Sequence, residues 1–180
     1  MSEHRMRNAA GPGAALLSGD RGEDLPLWAQ ALLASRLTRR GVLAMARDGR
    51  LSAEDRDLLV EGCEAIERCA VHGAYLTAEG AEIERAKNWT PKAGVESLAQ
   101  AMHWAGDAAL AANDASDFSA AETACVNSTW QALLHAAQSA AVNPLQARMF
   151  IAADVDLLRF ACGEFRIGRY DALGPVMGRL

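Results

Sequence analysis

Lysine is nearly absent from this chain: among 180 residues only Lys87 and Lys92 occur, and the other basic residues are arginines. Aromatic residues are scarce, at 6%. Valine, isoleucine and threonine are few and scattered, which leaves no β-branched runs to build a sheet. No apolar stretch reaches the ~18 residues of a membrane span. Ala14 to Leu17 is too short for a signal peptide. The four cysteines, Cys63, Cys69, Cys125 and Cys162, include no CxxC pair. They read as reduced, buried small hydrophobes rather than disulfides, and a cytoplasmic location is expected. A net charge of −5 argues against affinity for phosphate backbones, so neither a nucleic-acid nor a membrane partner is expected.

What the chain does have is alanine, the strongest helix former because it loses no side-chain entropy on ordering. The length suits one domain with a sizeable core. Arginine in place of lysine, with abundant alanine and glycine, suggests a GC-rich bacterial genome. The expected fold is all-α: an Ala-rich bundle of five or six antiparallel helices over residues 23–163. A disordered arm over 1–22 would precede it, and a non-helical tail over 164–180 would pack back on it.

Helix punctuation supports that reading. Asp24 with Pro26 would start a helix running to Arg47, with Gly41 as a possible bend, and Asp48-Gly49 would form the next turn. Ser52 with Asp55 resembles a capping box opening a helix that ends at Gly73. Thr77 would cap a short helix to about Asn88, and Thr90-Pro91 would open the next. Ser119 with Glu122 forms a second capping box, for a helix to Val142. Asn143-Pro144 would start the last long helix, ending at Gly163.

The segment from Asp48 to Asp55 (DGRLSAED) resembles the second half of an EF-hand loop. Over the same residues alone it is similar to the helix–turn–helix of TerB-like tellurite-resistance proteins. In EF-hand register the first two ligand positions would be Ala44 and Ala46, which cannot coordinate calcium. The segment therefore reads as a tight turn plus a helix cap.

Charge distribution singles out one region. No arginine or lysine lies between Lys92 and Arg148, and the acids beyond Glu96 are Asp107, Asp114, Asp117 and Glu122. A surface helix carries charge on its outer face, so the hairpin over 91–142 should be covered on more than one side. It would be either the central pair of the bundle or an oligomer interface.

Candidate sites are few. His103 and His135 would lie on facing helices at heights roughly 7–8 Å apart, taking 1.5 Å of rise per residue. Asp107 sits one turn from His103. No HExxH or other metal signature occurs, and no cofactor motif, so no metal or cofactor is expected. Asp154 has Phe150, Ile151, Leu157, Leu158 and Ala161 as helix-face neighbours. It marks a pocket, or it is a boundary aspartate satisfied by a backbone amide, an arginine or a tryptophan N–H. Trp104 and Trp130 on the charge-poor hairpin could line a pocket or an interface. Arg36, Arg39 and Arg40 form a basic cluster near the end of the first helix, offering an acidic partner a surface or serving the helix terminus. Two functions follow as expectations. One is a non-enzymatic protein-interaction module, meeting a protein partner or its own copy through helices 91–142 or the arginine-bearing helix. The other is a metal- or small-ligand-binding helical enzyme centred on His103, His135 and Asp154.

Overall fold

The computed structural model describes residues 22–114, 118–139 and 144–177. The six long helices are α1 (Leu27–Arg47), α2 (Ala53–His72), α3 (Thr77–Lys87), α4 (Glu96–Asn113), α5 (Phe118–Ser139) and α6 (Pro144–Glu164). A single turn, α7 (Gly174–Met177), lies in the tail. No strand occurs among the described residues, so the fold is an all-α bundle. The arm expected over residues 1–22, its last residue excepted, falls outside the described residues. So do Asn143 and the end of the hairpin expected at Val142. No described helix is long and apolar enough to cross a membrane.

Two helix ends follow the local rules closely. Ser52 Oγ accepts the Asp55 backbone N–H at 3.1 Å and donates to the Asp55 carboxylate at 2.6 Å, capping α2. Gly73 closes α2 in the left-handed conformation (φ 65°), its N–H bonding Cys69 O. Gly49, at φ 71°, makes the turn between α1 and α2.

Other boundaries depart from expectation. Pro26, not Asp24, is the residue before α1, and Asp24 instead meets Arg159 with an oxygen–nitrogen distance of 2.6 Å. Gln30 Nε2 donates to Leu25 O at 3.0 Å, tying down the chain that enters α1. Thr77 is the first helical residue of α3, after Leu76. Thr90-Pro91 does not open α4. The chain turns through Gly94 at φ 89°, whose N–H bonds the Glu96 carboxylate at 2.9 Å, and the helix begins only there. Ser119 lies inside α5, and Glu122 accepts from Arg169 Nε at 2.9 Å. Gly163 is not the terminator of α6. The left-handed residue is Arg166 (φ 53°), with Ile167 N–H bonded to Cys162 O at 2.9 Å and Arg166 N–H to Gly163 O at 3.2 Å. That is a Schellman ending built without glycine.

α1 is the centre. Fourteen of its 21 residues are buried, including Gln30, Ser35 and Thr38. Their polar atoms are satisfied: Ser35 Oγ donates to Cys63 O at 2.9 Å and Thr38 Oγ1 to Ala34 O at 2.9 Å. α2, α4 and α5 all pack on α1, while α4 and α5 pack most extensively on each other. Gly41 does not split α1. A Cβ there would lie 2.7 Å from Ser139 Oγ, so the glycine lets the end of α5 approach. The charge-poor hairpin is covered on more than one side: α4 packs on α1, α2 and α3, and α5 on α1. Its outer side exposes neutral groups, among them Gln100, His103, Thr123, Asn127 and Gln138. On that remaining face uncharged polar residues take the place of charges.

The tail lies on the bundle. Leu27 N–H bonds Arg169 O and Leu173 N–H bonds Ala70 O, each at 2.8 Å. α6 is the most thinly attached long helix among the described residues, packing chiefly on α1.

Candidate functional site

Two residues from different candidate sets come together. Arg40 grips Asp154 with both terminal nitrogens, Nη2 to Oδ1 at 3.0 Å and Nη1 to Oδ2. The Asp154 side chain is only 8% exposed and that of Arg40 43%. Arg40 also lies over the Phe150 ring, 5.4 Å from its centroid. The buried carboxylate therefore has its partner from a helix 114 positions away in sequence, and the fork geometry ties α6 to α1. Of the two readings of Asp154, this is the aspartate satisfied by an arginine.

Arg39 is also engaged across helices, with Glu64 at 3.1 Å and Glu67 at 3.5 Å. Arg85 meets Glu61 at 3.1 Å. The acidic row of α2 thus holds the arginines of α1 and α3. Among the described residues, Arg36 is the member of the basic cluster with no carboxylate beside it.

The histidines do not gather. His103 is exposed, its ring edge-on to Trp104 (5.7 Å, 78°) and its Nε2 3.4 Å from Asp107. Asp107 is in turn held by Lys87 Nζ at 2.7 Å. Burial pulls the pKa of the Lys87 ammonium down, but its hydrogen bonds to Asp107 and Glu84 outweigh that and the net shift is upward. His135 is half-buried, and its desolvation lowers its pKa below the usual histidine range. No three histidine, cysteine or acidic side chains among the described residues come close enough to hold a metal ion. His103, His135 and Asp154 accordingly form no metal-holding group. Trp104 and Trp130 are half-buried and pack against the core. All four cysteines are buried and unbridged. Burial pushes the Cys63 and Cys125 thiols up to about 12, which leaves them inert as nucleophiles.

A cleft of about 320 Å³ opens between α1, α5 and α6, walled by Leu37, Ala44, Ala137, Ala147 and Phe150 with Arg40 and Arg47. It is at the small end of ligand-sized cavities.

The most unusual surface was not singled out by the sequence reading. Nine large hydrophobic side chains are exposed among the described residues, and five belong to α6: Leu145 (62%), Met149 (62%), Phe150 (46%), Leu157 (38%) and Phe160 (66%). The opposite side of the helix, with Ala147, Ile151, Val155, Leu158 and Ala161, is buried. α6 is therefore apolar on both faces, with only one of them covered. The signal was in the sequence as a second apolar stripe at 145, 149 and 160, displaced from the core stripe by half a turn.

No protein-family model matches the chain, and no curated protein or solved structure is significantly similar to it. The functional reading accordingly rests on this geometry.

Proposed function

We propose that this protein is a non-catalytic protein-interaction module, cytoplasmic in location, whose docking face is the outer side of α6. The observation that carries this is the concentration of five exposed large hydrophobics on one helix. Single exposed hydrophobics need no explanation, but several on one helix point to a recognition surface. The face favoured is α6, which exposes five large apolar side chains, rather than the hairpin over 91–142, where Leu110 is exposed. Arg39, Arg40 and Asp154 are committed to internal ion pairs and so are less suited to recognising a partner.

Oxidative footprinting tests the reading. Met149 is expected to be labelled readily in the dilute purified protein and protected at least threefold in a native cell extract or at high protein concentration. Equal labelling in all three conditions overturns the proposal.

A further inference from the structure

The exposed apolar face of α6 adjoins a basic stripe on α1. Phe150 and Leu157, seven residues apart, form one edge of the α6 face, and Arg40 lies over the Phe150 ring. On α1, Arg36, Arg40, Leu43 and Arg47 recur at steps of four, three and four, so they share one side of that helix. Arg40 is held by Asp154 and acts as the joint between the two helices. The charges open to a partner are its neighbours. Arg36 has no carboxylate beside it among the described residues. Arg47 has a side chain 80% exposed, and its Nε stands 3.6 Å from Asp48, beyond hydrogen-bond reach. Leu43 lies half-exposed between them. Beneath this rim opens the cleft of about 320 Å³, with Leu37, Ala44 and Ala147 in its walls. The seam thus combines a hole for one bulky apolar side chain, an apolar ledge and two cations roughly 16 Å apart along α1.

We infer that the partner docking on α6 is an acidic amphipathic helix of another protein, lying along the seam between α6 and α1. This rests on α6 being the docking face and names the chemistry of what docks there. Such a helix seats one apolar anchor in the cleft, rests its apolar row on Phe150 and Leu157, and turns its carboxylates toward Arg36 and Arg47. Side chains on one side of a helix recur at the same steps of three and four that separate the arginines, so ledge and stripe are matched together. A pocketed anchor beside charged contacts is the arrangement that concentrates binding energy in interfaces.

Charge selects this partner over others. The exposed acids of α6 stand away from the seam: Asp156 points about 100° round the helix from Leu157 and is 3.5 Å from Arg159, and Glu164 lies two turns beyond Leu157. They leave the arginine edge open to carboxylates. Together with a net charge of −5 they oppose an anionic bilayer or a nucleic acid, either of which needs cations across the whole face.

Selection from a displayed library of single-helix peptides, randomised on one side and panned against the full chain, reads the partner's chemistry directly. Enriched peptides should carry at least three times as many aspartates and glutamates as lysines and arginines, beside leucine or phenylalanine at helical spacing. The best peptide, synthesised alone, should bind at least tenfold more weakly to Arg47→Glu and to Phe150→Ala, and less tightly at high salt. Glutamate-to-lysine changes in the peptide should restore binding to Arg47→Glu. Arg85→Glu, a reversal at an exposed arginine away from the seam, should leave binding unchanged, and helix content and melting report that each variant is folded. The inference is overturned if no peptide is enriched, if the enriched peptides show no acidic excess, or if binding is indifferent to reversal of both Arg36 and Arg47. Co-sedimentation with phosphatidylcholine–phosphatidylserine vesicles, or a concentration-dependent dimer, overturns it by naming another occupant if Leu157→Glu abolishes it. Selection of neutral or basic peptides while Met149 is still protected in extract removes the acidic helix but leaves the interaction-module reading intact.

Discussion

α1 and α6 have the same length, 21 residues, and both are rich in leucine, alanine and aromatic or methionine side chains, yet they end up in opposite places. α1 carries four arginines and is nonetheless the most buried helix, with three polar residues sealed inside it. α6 carries five charged residues, of both signs, and leaves bulky apolar side chains in water. Apolar content therefore does not rank helices by depth. What differs is how each helix manages its polar groups. In α1, Ser35 and Thr38 donate to backbone carbonyls and the arginines sit toward one end, where they reach Glu64, Glu67 and Asp154. Three neighbours can then close over it. α6 has Asp154 on its inner face, and only the Arg40 contact makes that face buriable.

That contrast can be broken by substitution. The largest effect is expected from Leu33→Ala in α1, a fully buried side chain, which should cost about 2–5 kcal/mol of unfolding free energy. Phe160→Ala in α6, the larger truncation, should change the monomer's stability by less than about 0.5 kcal/mol because the ring is two-thirds exposed. Urea unfolding of dilute protein measures both, and comparable losses would erase the distinction between the two helices.

The tie between them gives the next effect. Arg40→Ala strands the Asp154 carboxylate and should cost about 2 kcal/mol, below the usual range for a buried pair since Arg40 is itself half-exposed. The double replacement Arg40→Met with Asp154→Leu should recover most of that loss. A double variant as unstable as the single one would mean that the pair contributes more than the relief of a buried charge.

The smallest effect is a pH dependence at the end of the hairpin. Burial lowers the pKa of His135 in the folded state. Below the unfolded value near 6.5 the unfolded chain binds the extra proton first. Stability should therefore be complete above pH 6.5 and fall as pH drops through the folded pKa. His135→Gln should flatten the stability profile in that window. An unchanged slope would assign it to other groups.

How much of this was legible depends on how far apart the partners are. Ser52 with Asp55 and Gly73 with Cys69 lie within four residues of each other, so the sequence carried the whole interaction. Thr90-Pro91 misled because it obeys the same local rule, while Gly94 and Glu96 a few residues on supply a competing turn that pairs with itself. The Arg40–Asp154 contact was invisible: each residue was singled out separately, but nothing local joins positions 114 apart. The α6 stripe was readable as a pattern, though not as an exposed one.

Taken alone, the sequence determined an all-α fold and much of its punctuation, because helix propensity, caps and left-handed residues act within one turn of the backbone. The tertiary structure decided which helix is central, which carboxylate is neutralised and which apolar face stays open. Those outcomes depend on what packs beside each face, and burial belongs to pairs of surfaces rather than to either helix by itself.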